Sequence, residues 1–307
     1  AYANTKYAGK VILKFDSNGE LVKIDGSPTL LNHEIKQDPS MLKLIDKWKP
    51  EVTKITNVTI GRTAVELINN CRETECNIGN LIADSFVYYN VMKKETYNEY
   101  WTDAPIAILQ AGGIRTTINE TNHDGYITLG QLVNVTPFMN ELVKITISGS
   151  TLLESFEYSV SNYALNIGTP TFLQVSGVLI KYDLTLSPGN RVTSLLIRCG
   201  HCSVPKFEPL VLTANYTIVM SDFLANGGNN FEAFKKRINI KSLGIEDYNA
   251  TAMYMQSISP IMNGIDGRIN LKYDGNNEKS AGLNINTWNY RLLVVILIIR
   301  KLFFNIN

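Results

Sequence analysis

Residues 71–84 read Cys71-Arg72-Glu73-Thr74-Glu75-Cys76-Asn77-Ile78-Gly79-Asn80-Leu81-Ile82-Ala83-Asp84. Two cysteines enclose four polar residues, and Asn77 then stands where a helix N-cap is expected. The apolar residues that follow recur at helical spacing as far as Tyr89. This stretch therefore predicts a cysteine-bounded loop that leads into a helix with one buried face.

Before this stretch, the sequence predicts a hairpin and a linking helix. Residues 8–35 alternate in the manner of strands around a turn at Asp16–Gly19. Asp38 followed by Pro39 is a helix start, and we expect the helix to end at Pro50.

After this stretch, strands and helices alternate irregularly. Residues 105–109 form a short apolar run that Ala111-Gly112-Gly113 ends. Two S/T-x-x-E/Q patterns, Thr128 with Gln131 and Thr151 with Glu154, predict helix starts. Residues 172–219 are mostly strand-like, and residues 231–237 are expected to be helical. The chain is therefore predicted to be α+β, with mixed layers of helix and sheet.

The overall composition excludes several classes of protein. The 307 residues include 29 Lys and Arg and 28 Asp and Glu, with 45% hydrophobic and 19% charged residues. This balance excludes disordered, collagen-like and coiled-coil chains. A net charge of +1 also argues against a nucleic-acid partner.

Four cysteines form two close pairs, Cys71 with Cys76 and Cys199 with Cys202. A four-cysteine zinc site and a redox C-x-x-C are the alternatives to disulfides. Five N-x-S/T sequons favour secretion, and therefore two local disulfides. The sequons begin at Asn57, Asn119, Asn134, Asn215 and Asn249.

The C-terminal end has the outline of a lipid-anchor signal. Small residues at 280–282 precede a polar spacer at 283–291 and an apolar stretch that Arg300-Lys301 interrupts. The stretch is too short for a spanning helix, which needs about 20 apolar residues. A lipid anchor and a frayed apolar end are the two interpretations.

Taken alone, the candidate binding residues are weak signals. Gly112-Gly113 with Arg115 could approach an anion, because glycines expose backbone amides and arginine offers a bidentate fork. Phe223 precedes the Gly-rich loop 226–230, and Phe138 follows a helix. The ordinary roles of such residues are turns and core packing. The three histidines are scattered and form no metal pair.

Four segments in this order resemble the C-terminal domain of the 5'-nucleotidase family, which includes ecto-5'-nucleotidases and secreted insect apyrases. Residues 71–84 resemble its C-R-x-x-E-C-N-x-G-N-L-I-x-D run, and Gly112-Gly113-Ile114-Arg115 its G-G-G-I-R. Residues 172–177 are similar to its F-L-Q-V-x-G region, and residues 223–228 to its F-L-A-N-G-G loop. The match covers residues 1 to about 272.

The resemblance implies a domain organisation. Residues 1–35 resemble the end of the family's N-terminal metallophosphoesterase domain, and residues 36–54 its interdomain hinge helix. Residues 55–272 would be the nucleotide-binding domain, and residues 273–307 a polar spacer and apolar tail. In the family, two zinc-like divalent metal ions and the catalytic His lie in the N-terminal domain, upstream of Ala1. The chain is therefore expected to be a fragment that binds no metal and carries no catalytic residue.

The resemblance also assigns substrate contacts. Arg72 and Arg115 would hold phosphate, and Phe138 with Phe223 would enclose the base. Asn229 stands where the family has a ribose-binding Asp, and Gln110-Ala111 where it has Asn-Gly. These departures put ribose affinity and substrate choice in question.

The predicted function is the nucleotide-binding part of a metal-dependent nucleotide hydrolase acting on extracellular AMP, ADP or ATP. The alternative is a non-catalytic secreted nucleotide-binding or platelet-directed salivary protein. A nucleotide or nucleoside is the expected partner, and the expected location is extracellular, either secreted or lipid-anchored. Homodimerisation is left open.

Overall fold

The computed structural model describes residues 6–93, 100–119, 122–273 and 276–279. The chain divides into two compact units, one ending at Ile55 and one beginning at Thr56. The lipid-anchor prediction for residues 280–307 lies outside the described residues. Within the described ranges, no helix is both long enough and apolar enough to cross a bilayer.

The first unit contains the predicted hairpin. Strands β1 (Tyr7–Phe15) and β2 (Leu21–Leu30) pair in antiparallel fashion. The Asp16 carboxylate accepts hydrogen bonds from the backbone N–H groups of Asn18 and Glu20, at 2.8 and 2.9 Å, and so closes the turn.

Helix α1 (Pro39–Thr56) begins as predicted but ends later. The Asp38 carboxylate accepts from the backbone N–H groups of Ser40 and Met41, at 2.8 and 3.0 Å. The prediction that Pro50 ends the helix is wrong, because the helix continues past it to Thr56. A proline removes one backbone hydrogen bond, and good helix formers on both sides, such as Lys49 and Glu51, can sustain the helix around it.

The second unit is built on two five-stranded mixed sheets, whose strand orders are β12-β6-β11-β4-β7 and β10-β9-β8-β13-β14. In each, one parallel pair (β11 with β4, β13 with β8) lies among antiparallel pairs. This confirms the mixed α+β prediction. The strands are β3 (Thr59–Arg62), β4 (Ile106–Gln110), β5 (Tyr126–Thr128), β6 (Glu141–Ser148), β7 (Leu173–Ser176), β8 (Val178–Asp183), β9 (Val192–Arg198), β10 (Phe207–Pro209), β11 (Asn215–Ser221), β12 (Asn239–Glu246), β13 (Ile269–Tyr273) and β14 (Asn276–Lys279).

Among the described residues, five α-helices and several short 3-10 turns complete this unit, and the core lies around the second helix of the chain. This helix, α2, packs against β4, β7 and the last helix, α6. Ile82 and Phe86 of α2 are buried, and each such side chain contributes about 1.5–3 kcal/mol. The helices are α2 (Asn77–Met92), α3 (Leu129–Val135), α4 (Gly149–Ser159), α5 (Asp222–Ala225) and α6 (Asp247–Ser257).

The N-cap of α2 is Cys76, so the prediction that Asn77 caps this helix is wrong. Cys76 is extended and its Sγ accepts from the Gly79 N–H at 3.2 Å. The Asn77 side chain has another use: it donates to the Glu66 carbonyl at 2.7 Å and accepts from the Ile68 N–H at 2.8 Å. Asn77 therefore fixes a neighbouring loop instead of the helix end.

The Thr128–Gln131 capping box is confirmed at α3, with hydrogen bonds of 2.8 and 3.3 Å. The prediction for Thr151 is wrong, because α4 begins two residues earlier, at Gly149. Ser148 is its N-cap and accepts from the Thr151 N–H at 3.2 Å. Ser and Thr have the same capping chemistry, so the local pattern does not distinguish them.

Residues 231–237 are helical as predicted, and the helix is a short 3-10 helix, Glu232–Lys236. Phe231 and Phe234 are stacked with ring centroids 5.4 Å apart. Phe231 is the residue immediately before this helix, and both rings are buried.

Both cysteine pairs are disulfides, Cys71–Cys76 and Cys199–Cys202. Each closes a very short loop, so each restrains local geometry more than the whole fold. The four thiols are therefore not available for a zinc site.

Candidate functional site

Strand β4 delivers the first part of the site. Gln110 is its last residue, is buried, and leads into a 3-10 turn at Ala111–Gly113. The Gly112 N–H donates to the Pro170 carbonyl at 2.8 Å. A Cβ on Gly112 would lie 3.1 Å from that carbonyl oxygen and 3.3 Å from the Asn229 amide nitrogen. Glycine is therefore favoured at this close approach, which brings Asn229 beside the turn.

Arg115 and Phe138 lie together at the exposed edge of this turn. The Arg115 backbone N–H donates to the Val135 carbonyl at 2.9 Å, and its guanidinium donates to the Gly112 carbonyl at 3.2 Å. The guanidinium carbon lies 6.0 Å from the centroid of the Phe138 ring. Phe138 is 58% exposed, so its role is not core packing. The pair offers a cation and a flat apolar face to solvent.

The disulfide loop places Arg72 nearby through backbone contacts. The Arg72 carbonyl accepts from the Thr169 N–H at 2.9 Å. The next residue, Pro170, accepts from the Gly112 N–H, so two backbone hydrogen bonds connect Arg72 to the turn. Gly168 has φ +64°, and a side chain there would collide with the Arg72 carbonyl. The Arg72 side chain is exposed, and nothing in the described ranges joins it to the other five predicted residues.

Gln174 supports this loop, a role that no sequence pattern indicates. Its buried amide donates to the carbonyls of Cys71 and Thr74, at 2.9 and 2.8 Å, and accepts from the Cys76 N–H at 3.1 Å. All three bonds bridge about 100 residues of chain, so a local signal could not have found them.

The Gly-rich loop carries Asn229, and Phe223 lies just before it in α5. A Cβ on Gly228 would collide with the Phe223 ring, which packs against this glycine and is 43% exposed. Asn229 adopts a left-handed conformation (φ 54°), and its carbonyl accepts from the Tyr158 hydroxyl at 3.0 Å. Tyr158 in turn packs edge-on against Phe231, with centroids 4.9 Å apart. The loop is thereby fixed to the body of the unit.

A buried polar cluster lies beneath these residues. The Asp247 carboxylate accepts from the Asn140 amide at 3.3 Å and from the Tyr248 N–H at 2.7 Å. Burial raises the pKa of Asp247 to about 6, against the opposing effect of these hydrogen bonds. Gln110 and Ser221 border the same small cavity. Asp247 and Asn140 stand in no motif that sequence analysis singles out.

The structure thus brings five of the six predicted residues into a connected set. Arg115 contacts Phe138, Asn229 lies beside Gly112, and Phe223 covers Gly228. Gln110 begins the turn that contains Gly112. No ring contact joins Phe138 to Phe223 among the described residues, so the two aromatic faces are separate in this conformation.

A metal centre does not fit the residues of this site. In the part of the chain that the structure describes, no group of three or more His, Cys, Asp or Glu side chains is placed to hold a metal ion. The groups that the site exposes are the guanidinium of Arg115 and the ring of Phe138, which are a cation and a flat apolar face.

Comparisons with known proteins identify the family of this chain. The family profile described as 5'-nucleotidase, C-terminal domain matches residues 55–236. The chain is similar to human 5'-nucleotidase, with 37% identity over 272 residues that cover 88% of this chain and 46% of that protein. It is also similar to an apyrase of Tabanus yao, with 35% identity over 273 residues that cover 88% of the chain and 48% of the relative.

A solved structure shows the same likeness in three dimensions. The 5'-nucleotidase precursor from Thermus thermophilus aligns with a TM-score of 0.67 and 28% identity, over 88% of this chain and 50% of that one. The chain spans about half the length of these relatives. With its family profile, four matching motifs and two disulfides, the chain belongs to the 5'-nucleotidase family and carries its C-terminal domain.

Proposed function

We propose that this chain binds a nucleotide and forms the substrate-binding part of a phosphohydrolase acting on extracellular AMP, ADP or ATP. The observation that carries the proposal is the pairing of Arg115 with the exposed ring of Phe138, beside the turn that Asn229 approaches. A guanidinium, an aromatic face and side-chain amides are the groups that bind a phosphate, a base and a ribose respectively.

Each residue then has a distinct role. Arg72 and Arg115 hold phosphate, and Phe138 and Phe223 enclose the base. The amides of Gln110 and Asn229 bond the ribose hydroxyls. Because Asn229 lies against Gly112, a shift of the turn that binds phosphate would also shift the amide that bonds the ribose.

The chemistry itself belongs elsewhere in the whole protein. By the family resemblance, two divalent metals and a catalytic histidine act from a separate domain. The relatives are about twice as long as the matched region, and we propose that this machinery lies outside these 307 residues. The chain alone is expected to bind nucleotide without hydrolysing it.

An extracellular location is supported by the chemistry of the cysteines. Both pairs are disulfides, which persist in oxidising compartments. One relative is a snake venom 5'-nucleotidase of Naja atra. We propose a protein that is either secreted or held at the cell surface by a lipid anchor.

Calorimetric titration of the purified chain with AMP tests the binding role. Phe223→Ala and Arg115→Ala should each weaken AMP binding by about fivefold to tenfold, as expected for a lost ring contact or charged hydrogen bond. Phe207→Ala removes an exposed ring of another sheet and serves as the control. Equal AMP affinity in all four proteins would refute the site. Metal-dependent phosphate release by the chain alone would refute the proposal that catalysis lies outside these 307 residues.

A second candidate function is nucleotide capture without hydrolysis. The replacement of the family's ribose-binding Asp by Asn229 favours it, because an amide cannot form the charge-assisted bond of a carboxylate. Phosphate release from AMP or ADP by the full-length natural protein separates the two functions. Turnover supports the hydrolase, and AMP binding without turnover in the presence of divalent metal supports capture.

A further inference from the structure

A second cavity lies along the part of α2 that carries Asp84, Tyr88 and Val91, apart from the six nucleotide-site residues. It has a volume of about 560 Å³, and none of those six residues lines it. Cavities of about 300–1,000 Å³ are the usual size for small-molecule sites. Its walls come from the last turns of α2, the β7–β8 connection and the segment around Trp101.

One wall of this cavity is the side chain of Arg198. Its guanidinium carbon lies 5.0 Å from the centroid of the Trp101 ring, and Nη2 donates to the Pro105 carbonyl at 3.3 Å. Nε is covered from solvent and donates to no partner within the described ranges. Burial lowers the pKa of Arg198, as expected for a cation withdrawn from water.

The carboxylates of the cavity are already engaged by a different arginine. Asp84 accepts from Arg268 at 2.7 and 2.8 Å and from the Ser176 hydroxyl at 2.6 Å. Asp266 also pairs with Arg268, at 2.7 Å. Among the described residues, therefore, no carboxylate forms an ion pair with Arg198. Asp84 favours the charge of Arg198 from beyond ion-pair distance, but Arg268 opposes it. An anion that bound the guanidinium directly would offset the remaining cost of withdrawing this cation from water.

Flat aromatic groups surround the same space. Tyr88 and Tyr254 have ring centroids 5.0 Å apart, and both line the cavity together with Trp101. The Trp101 indole N–H is committed to the Cys199 carbonyl at 2.8 Å. These rings therefore offer mainly apolar surface to a ligand.

We propose that this cavity is a second ligand site, which takes a small aromatic carboxylate. The carboxylate binds the Arg198 guanidinium, and the aromatic body packs against Trp101 and the two tyrosines. A monoanion is favoured over a phosphate dianion, because Asp84 and Asp266 border the same space and repel a second negative charge. The site is independent of nucleotide binding.

Indole-3-acetate is a suitable probe, with the uncharged indole-3-acetamide for comparison. Saturation-transfer NMR titrations of the full chain would be run with and without excess AMP, which occupies the proposed nucleotide site. We expect indole-3-acetate to bind about tenfold more tightly than the acetamide, and Arg198→Gln to weaken the acid by about the same factor. Lys206→Gln removes an exposed cation that does not line this cavity and should have no effect.

Val91→Phe tests whether the probe binds in this cavity, and it leaves the charge of Arg198 in place. Val91 is half-buried and lines this cavity but not the one of about 480 Å³ beside the Cys199–Cys202 disulfide, which Arg198 also borders. The larger side chain should weaken binding even if Arg198→Gln fails to fold. Unchanged affinity in Val91→Phe, equal affinity for acid and acetamide, or displacement of the probe by AMP would each overturn the proposal.

Discussion

Asn140 and Asp247 exchange two hydrogen bonds across 107 residues of chain. The Asn140 amide donates to the Asp247 carboxylate at 3.3 Å, and the Asp247 backbone N–H donates to the Asn140 carbonyl at 2.9 Å. Asn140 ends the turn that presents Phe138, in which Met139 has φ 53°. The buried Asp247 carboxylate at the start of α6 therefore fixes the chain segment that presents Phe138 to the proposed nucleotide site.

The first prediction is a pH dependence of stability that comes from Asp247. Its pKa rises from 3.8 in the unfolded chain to about 6 in the native protein, chiefly because burial disfavours the charge. Between about pH 4 and pH 6 the native state holds a proton that the unfolded chain has released. The free energy of unfolding should therefore fall as pH rises through this window, by up to about 3 kcal/mol in total.

Urea unfolding of wild type and Asp247→Asn at several pH values measures this contribution. Other carboxyls, including Asp103 and Asp183, have lowered pKa values and give the opposite slope. Their contribution is the same in both proteins, so it cancels when the free energy of unfolding of Asp247→Asn is subtracted from that of the wild type. The difference curve should decline between about pH 4 and pH 6 and be flat above about pH 7. A difference that stays constant across the whole range would show that Asp247 is not buried as described.

Local sequence patterns predict only the part of the fold that depends on short-range contacts. The β1–β2 turn and the Thr128 capping box are predictable, because each depends on residues no more than four apart. The assignment of Asn77 as a cap is wrong, because its partners at Glu66 and Ile68 are tertiary contacts of a loop. A local pattern states which groups can cap a helix, but not which of them is needed elsewhere.

The same distinction applies to the candidate site. Its residues are found through motif resemblance, which fixes their identity in four separated segments. Gln174 lies in one of these segments, but the motif does not indicate its role, because its partners are about 100 residues away. Asn140 also acts through a distant partner, and it stands in no motif. Supporting residues of this kind are therefore invisible without the fold, although they determine how the exposed residues are held.

The second prediction concerns the close approach of Asn229 to Gly112. Gly112→Ala places a methyl group 3.1 Å from the Pro170 carbonyl oxygen and 3.3 Å from the Asn229 amide, so one of them must move. If Asn229 bonds the ribose, adenosine and AMP should lose affinity by the same factor, about threefold to tenfold. Calorimetry with both ligands gives the two values.

Two variants serve as comparisons for Gly112→Ala. Gly264→Ala adds a methyl group into open space at an ordinary backbone conformation and should leave both affinities unchanged. Arg115→Ala should weaken AMP far more than adenosine, because only AMP carries the phosphate. If Gly112→Ala weakened AMP alone, the role of Asn229 would be in phosphate binding and not in ribose binding.

The third prediction ranks the sequons by accessibility. Asn57 and Asn215 are exposed, just after α1 and at the start of β11. Asn249 lies within α6, is half-buried, and donates its amide to Glu246 at 2.9 Å. Since glycosylation requires an accessible amide on the surface, Asn57 and Asn215 should carry glycans and Asn249 should not.

Secretion from insect cells, enzymatic glycan removal in heavy-oxygen water and peptide mass spectrometry would identify each occupied asparagine, with Asn57→Gln as the control for assignment. A glycan on Asn249 with Asn57 and Asn215 empty would contradict both the accessibility argument and the helix that buries this side chain.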